Sequence, residues 1–274
     1  MFENVLGHEN EKNILKNDIK NRQASHAYLF SGPDGIGKKL VAMEFAKELL
    51  KTDNLSACVD YKFVEKLPDK KEILVEQIRN SIVNDIYVAP ATCDKKVYVI
   101  NDAENLNISA QNALLKTLEE PPKHVVIILI TSSEEALLTT ILSRVKKISF
   151  NRLKDVEIEF ELKRLLNKEL NEDKLKYADG SLKIALDLAN DENDNKYNNI
   201  EKLYSYIKSK DKINAIKEIE NISFKDDETF RYLEYLLFKD EEYNKIDIVE
   251  YSKKRMKQNA NEDMVKQSFL IKIM

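Results

Sequence analysis

Residues 27–50 read AYLFSGPDGIGKKLVAMEFAKELL, and few folds accommodate such a stretch. A short buried strand is predicted from Ala27 to Ser31, then a loop with glycine at 32, 35 and 37, then an amphipathic helix. The spacing Gly32, four residues, Gly37-Lys38 is that of a phosphate-binding loop. Glycine lets successive backbone N–H groups converge on a phosphate without Cβ clashes, and the helix adds its positive N-terminal end. Lys38 would supply a mobile charge for the outer phosphates. The next position wants a Ser or Thr hydroxyl for Mg²⁺; Lys39 stands there and can only donate. The same residues also suit a plain strand–turn–helix with glycines for tight packing, so the rest of the chain has to decide.

Apolar spacing predicts a first helix from Glu9 to Asn21, with Ile14, Leu15 and Ile19 inward. After the loop, Leu40 to Leu50 continues as a helix buried through Val41, Phe45 and Leu49, and Lys51 to Lys71 reads as irregular. Ile73 to Asn84 is a predicted helix with Leu74, Ile78 and Ile82 in one stripe, and Val88 to Lys96 is a loop marked by Pro90. VYVIND, Val97 to Asp102, is a second strand ending in polar residues. In nucleotide-hydrolysing phosphate-loop proteins that strand end carries an Asp for Mg²⁺, often followed by a Glu that activates water. Here the two positions are Asn101 and Asp102, which also fit an ordinary polar strand end. A helix from Ser109 to Glu120, with Ala113, Leu114 and Leu118 inward, stops at Pro121-Pro122. His124 to Thr131 is a third strand, apolar on both faces as a covered parallel strand requires. Glu134 to Leu142 is helical and Lys147 to Phe150 a fourth strand. Alternating strands and helices predict an α/β domain with a parallel sheet.

Beyond Leu153 the strand pattern ends. Three short helices are expected, Val156 to Leu166, Glu172 to Ala178 and Ser181 to Ala189, then a polar linker from Asn190 to Asn199. Helices restart at Ile200, at Ile213 with Ile216 and Ile219, at Phe230 to Phe238 and at Met264 to Met274. The 274 residues suit roughly two or three domains. Two cysteines, Cys58 and Cys93, are too few for a disulfide framework or a cysteine-only zinc site. The net charge of −4 means that any nucleic-acid contact must come from a local basic patch. The N-terminal MFENVLGHEN lacks a signal-peptide pattern and Val125 to Ile130 is too short to span a membrane, so a cytoplasmic protein with no membrane partner is expected.

Several stretches together resemble the bacterial DNA polymerase III clamp-loader family, and within it the delta-prime type of subunit. They are HAYLFSGPDGIGKK from His26, VEQIR from Val75, VYVINDAENL from Val97, SAQNALLKTLEEPP from Ser109, ILSR from Ile141, GSLKIAL from Gly180 and NANEDMVKQSFLIKI from Asn259. NALLKTLEEPP with a downstream Ser-Arg is the specific part. The resemblance implies an AAA+ P-loop domain with a parallel sheet at 1–150, a small helical lid at 151–190 and an all-helical collar at 191–274. It implies a ring or spiral of such subunits, held at the collar, that opens a sliding clamp and places it on primed DNA.

Departures from the family pattern matter as much. The family's four-cysteine zinc module cannot be built from Cys58 and Cys93, so no zinc, and no other metal, is expected. Lys39 and Asn101 replace two magnesium ligands, which argues against hydrolysis while leaving ATP or ADP binding open through Gly32, Gly35, Gly37, Lys38 and Lys39, with Asn101 and Asp102 beside them. Lys183 stands where the motor subunits hold a second phosphate-sensing arginine. The family's Ser-Arg-Cys motif reads Ser143-Arg144-Val145, and the resemblance implies that Arg144 reaches a neighbour's ATP as an arginine finger. An arginine that merely caps a helix end is the alternative. Arg79 and Lys116 align with positions that touch the DNA backbone in related subunits, though both also fit a solvated helix face; Lys146 and Lys147 are weaker candidates of the same kind. His26 and His124 are expected to be structural.

The expectation is therefore a delta-prime-type, non-motor subunit with no hydrolysis of its own and no required cofactor. Its implied partners are the gamma/tau motor and delta subunits, and through them the clamp and primed DNA. An ATP-hydrolysing motor subunit and a stand-alone nucleotide switch remain the alternatives.

Overall fold

The structure, a computed structural model, describes residues 2, 5–68, 70–190 and 196–274. The described residues form two compact units, residues 1–164 with 179–184, and residues 165–178 with 185–274.

The first unit is built on a five-stranded sheet: β1 Ala27–Ser31, β2 Tyr61–Val64, β3 Lys96–Ile100, β4 Val125–Thr131 and β5 Lys146–Ser149. The order is β2-β3-β4-β1-β5, and every neighbouring pair runs parallel. Successive side chains leave a strand on opposite faces, so each central strand feeds two cores. Tyr28, Phe30, Val97, Val99, Val126 and Ile128 pack on one face with Leu15, Val41 and Phe45. Leu29, Tyr98, Ile100, Ile127 and Leu129 pack on the other with Ile78, Ile82, Leu114 and Leu118. The apolar run of β4 is thus explained: all seven residues are buried between two helical layers. The expected α/β fold with a phosphate-type loop after β1 is present.

Several local expectations fail for physical reasons. The irregular segment after Lys51 contains β2, which among the described residues is an edge strand paired with β3 and leaves Tyr61, Lys62 and Phe63 half-exposed, hiding its apolar signal. The first helix is Glu9–Lys20, but Ile14 is 42% exposed while the Lys12 stem is buried. The helix expected from Glu134 to Leu142 is split into a 3-10 turn, Glu134–Ala136, and a short helix, Thr139–Leu142. Buried Gln111 fills the break: its amide N–H donates to the Ala136 carbonyl at 3.0 Å and its oxygen accepts the Leu138 N–H at 2.8 Å. Helix Val75–Ile78 widens into a π turn, Arg79–Val83, that still buries Ile82.

The helices Asp155–Leu166, Glu172–Ala178 and Leu182–Ala189 lie where the apolar spacing puts them. In the second unit, helix Lys196–Ser209 begins inside the stretch expected as linker because Tyr197, Ile200, Tyr204 and Ile207 form one buried stripe; residues 191–195 of that stretch lie outside the described residues. Lys212–Glu220 forms the helix marked by Ile213, Ile216 and Ile219; it buries Ala215 and Ile219 and leaves Ile213 71% and Ile216 54% exposed. Asp227–Lys239, Ile246–Lys257 and Glu262–Ile273 follow; the second was not legible because it buries only Val249 and Ser252. Tyr177 stacks edge-on against Tyr232 at 4.6 Å, and Phe224 meets Phe230 and Phe269 at 5.0 and 5.4 Å. Among the described residues no helix is long and apolar enough to cross a membrane.

Candidate functional site

The loop after β1 leaves the sheet at the carboxyl ends of its strands, between β4 and β5, where parallel α/β sheets place ligands. The Gly32 N–H donates to the Thr131 carbonyl and anchors the loop to β4. Gly35 has φ +75°, and a Cβ there would overlap the Ser181 hydroxyl and lie 2.9 Å from the Lys183 Cβ. Its carbonyl accepts the Lys183 N–H at 3.1 Å, so the start of helix Leu182–Ala189 is docked directly on the loop. Gly37, with φ +105°, N-caps helix Lys38–Leu50, and a Cβ added there would point into open space. Glycine is required at 35 by packing and backbone together, and at 37 by backbone alone.

Lys38 is almost completely buried, and its ammonium donates to the Gly32 and Pro33 carbonyls at 2.5 and 2.6 Å. Burial pushes its pKa down, while Asp34, Glu104 and Asp102 act in the opposite direction. The loop lysine therefore closes the loop on itself, and a bound phosphate would have to take over its carbonyl contacts. Lys39 leans along the sheet edge instead: its ammonium lies 3.3 Å from Glu65 Oε2 and 4.4 Å over the Phe63 ring. Asn101 donates through its amide to Asp102 Oδ2 at 3.1 Å. Asp102 adopts φ +51°, and burial, reinforced by Glu104 and Asp34, pushes its carboxyl up.

Sequence reasoning missed the residue that ties this region together. Glu104 accepts from Thr131 Oγ1 at 2.9 Å, from Ser132 Oγ at 2.5 Å and from the Ser132 N–H at 3.2 Å; burial pushes its carboxyl up, and these hydrogen bonds together outweigh it and hold it below its ordinary range. The signal was a polar Thr-Ser-Ser closing an otherwise apolar strand. The site thus gathers Lys38, Asp34, Asp102 and Glu104 at the ends of β1, β3 and β4, with Lys183 exposed where its helix meets Gly35. Its cradle and lysine suit a phosphate. Position 39 places an ammonium and position 101 an amide in this region, beside the carboxylates of Asp34, Asp102 and Glu104.

Arg144 lies elsewhere. It precedes β5, at the amino ends of the strands, and β1 alone spans roughly 15 Å between that edge and the loop. Its guanidinium donates to the Thr140 carbonyl at 2.8 Å and to Ser143 Oγ at 3.2 Å, and pairs with Glu119 Oε1 at 2.9 Å. An open groove formed with His26, Leu118 and Val145 surrounds it. These contacts are those of a helix-end cap that also pairs with a neighbouring carboxylate. Arg79 is exposed in the π turn and Lys116 is exposed on the last turn of helix Ile108–Glu119. Neither belongs to the loop site. Among the described residues no group of three or more His, Cys, Asp or Glu is placed to hold a metal.

A family model described as DNA polymerase III, delta subunit, matches residues 7–154. DNA polymerase III subunit tau of Bacillus subtilis is 35% identical over 195 residues, covering 67% of this chain and 34% of that protein. Subunit delta' of the same organism is 31% identical over 159 residues, covering 53% of this chain and 48% of that protein. The chain thus spans about a third of the length of the tau relatives. A solved Thermotoga maritima protein described as DNA polymerase III gamma subunit-related superposes with TM-score 0.66 over 94% of this chain and 98% of its own, at 19% identity, and so attests the fold. With the family model matching more than half of its length, the chain belongs to the DNA polymerase III delta-subunit family, among the AAA+ P-loop proteins of the clamp-loader type.

Proposed function

We propose that this chain is a delta-prime-type subunit of the DNA polymerase III clamp loader, one that does not hydrolyse ATP in its own site and acts on the site of a neighbouring motor subunit. One observation carries the reading. The two magnesium-ligand positions hold Lys39 and Asn101, while the arginine of the Ser-Arg motif is kept at the opposite edge of the sheet, too far to serve the chain's own loop.

In this reading the phosphate loop is a retained cradle. Gly32, Gly35 and Gly37 shape it, Lys38 can contact phosphate oxygens, and Lys183 lies beside it. Nucleotide can bind without turning over, because the two positions that carry magnesium ligands in the family's motor subunits hold Lys39 and Asn101, so the metal that draws charge off the leaving phosphate loses both of those ligands. Arg144 would leave Glu119 on assembly and donate two N–H groups to γ-phosphate oxygens across the subunit boundary. A guanidinium suits that task because it stays protonated and its donors form a fixed fork. The AAA+ domain at 1–150, lid at 151–190 and collar at 191–274 remain the proposed division, with the collar as the assembly region and the gamma/tau and delta subunits as partners. Arg79 and Lys116 are proposed DNA-backbone contacts.

An ATP-hydrolysing motor subunit is the second reading, favoured by the longer match to tau than to delta'. Turnover of Mg²⁺-ATP by the purified chain separates the two. The non-motor subunit shows none above background; turnover at ordinary ATPase rates that is abolished by Lys38→Ala would establish the motor.

A further inference from the structure

We propose that Cys58 and Cys93 are a redox-active dithiol that closes to an intramolecular disulfide by exchange with a small-molecule disulfide. The inference is independent of the loop and of Arg144. Cys58 follows the 3-10 turn Leu55–Ala57, and Cys93 lies in the loop before β3. Thirty-five positions apart in sequence, their sulfurs are 3.7 Å apart. A disulfide needs about 2.05 Å, so the sulfurs have to close by roughly 1.7 Å.

Both backbones are held in place by other groups. The Asp60 carboxylate accepts the N–H groups of Ala91, Thr92 and Cys93 at 2.8, 2.7 and 2.9 Å and the Thr92 hydroxyl at 2.9 Å. The Cys58 carbonyl accepts the Tyr61 N–H at 3.2 Å, and Lys51 pairs with Asp94 across the same two loops at 2.8 Å. Both thiols are half-buried and open to a surface depression that Asn54 and Asp94 help to line, so a small disulfide has a route in. No third metal-ligating side chain joins them among the described residues, which separates this pair from a zinc site.

The chemistry is two successive displacements. One cysteine, as thiolate, attacks a sulfur of the external disulfide; a protein–small-molecule disulfide forms and the first thiolate leaves. The second cysteine, as thiolate, attacks the protein sulfur of that mixed disulfide, forming the Cys58–Cys93 bond and expelling the second thiolate. The protein gives up two electrons and two protons, and the external disulfide becomes two thiols. The bond would staple the segment entering β2 to the segment entering β3, next to the pairing of those two strands.

The test equilibrates the full chain in buffers of reduced and oxidised glutathione, quenches with acid, alkylates and maps peptides by mass spectrometry. The expected product is a peptide linking Cys58 to Cys93 in monomeric protein lighter by two hydrogens. Its thermal midpoint should rise by roughly 5–10 °C and fall back on addition of dithiothreitol. Cys93→Ser should collect one glutathione at Cys58 and show no such rise. Glutathione adducts alone, disulfides only between chains, or both thiols open to alkylation at the most oxidising ratio would each overturn the dithiol. A linked peptide with an unchanged midpoint would overturn the staple.

Discussion

Asp60 shows how one carboxylate can fix a loop. It accepts three successive backbone N–H groups, and although burial alone would raise its pKa, these hydrogen bonds bring it down to about 2. A carboxyl held below its unfolded value stabilises the fold above the unfolded pKa near 4, and that contribution fades as pH falls toward about 2. Asp60→Ala is expected to cost roughly 2–3 kcal/mol, because three backbone N–H groups and the Thr92 hydroxyl lose a shared charged acceptor. Asp60→Asn should cost less, and its deficit against wild type in urea melts should shrink between pH 4 and pH 2; a deficit independent of pH would contradict this role. At the same scale, the spacing of Gly32, Gly37, Lys38 and Lys39 was legible in the sequence because a phosphate loop is a local pattern. Glu104 was not, since its partners Thr131 and Ser132 are 27 and 28 residues away and only the parallel pairing of β3 with β4 brings them alongside.

Among the elements, the strands that read clearly from their apolar runs, β1, β3 and β4, are those buried along their whole length. β2 did not, because an edge strand shows half its side chains to water. The split between Ala136 and Leu138 was illegible for a different reason: the group that satisfies it, Gln111, belongs to another helix. Gln111→Leu keeps the volume but takes the partner from one donor, the Leu138 N–H, and two acceptors, the Leu106 and Ala136 carbonyls, and is expected to destabilise by roughly 2–4 kcal/mol in equilibrium unfolding. A loss within experimental error would mean that the break is held by packing alone. The glycines of the loop should separate similarly. Gly37→Ala faces open space and only the left-handed backbone, about 1–2 kcal/mol. Gly35→Ala adds the collision with Ser181 and Lys183 and should cost more. Equal losses would show that helix Leu182–Ala189 is not seated on the loop.

At the level of the whole molecule, the sequence showed an α/β unit followed by helices, but not which helical faces stay bare. Ile213, Ile216 and Ile271 are exposed, the last at 81%, on helices that bury other residues. Truncation before Ile200 would also bare Tyr177, which packs on Tyr232, so substitution is the cleaner probe. If the helical region carries assembly, Ile271→Glu and Ile213→Glu should leave the fold and melting midpoint intact and weaken association with gamma/tau and delta subunits on sizing; unchanged assembly would place the contact elsewhere. The division of labour between the loop and Arg144 is the central claim. It is tested by DNA- and clamp-stimulated ATP hydrolysis of the reconstituted complex carrying either Arg144→Ala or Lys38→Ala in this subunit alone, after sizing confirms assembly. Arginine fingers are worth about 10³–10⁵ in rate where chemistry limits turnover. The site served by Arg144 should therefore fall silent in Arg144→Ala, recover in part with Arg144→Lys, and be untouched by Lys38→Ala. Hydrolysis lost with Lys38→Ala and kept with Arg144→Ala would contradict it and make this chain the motor.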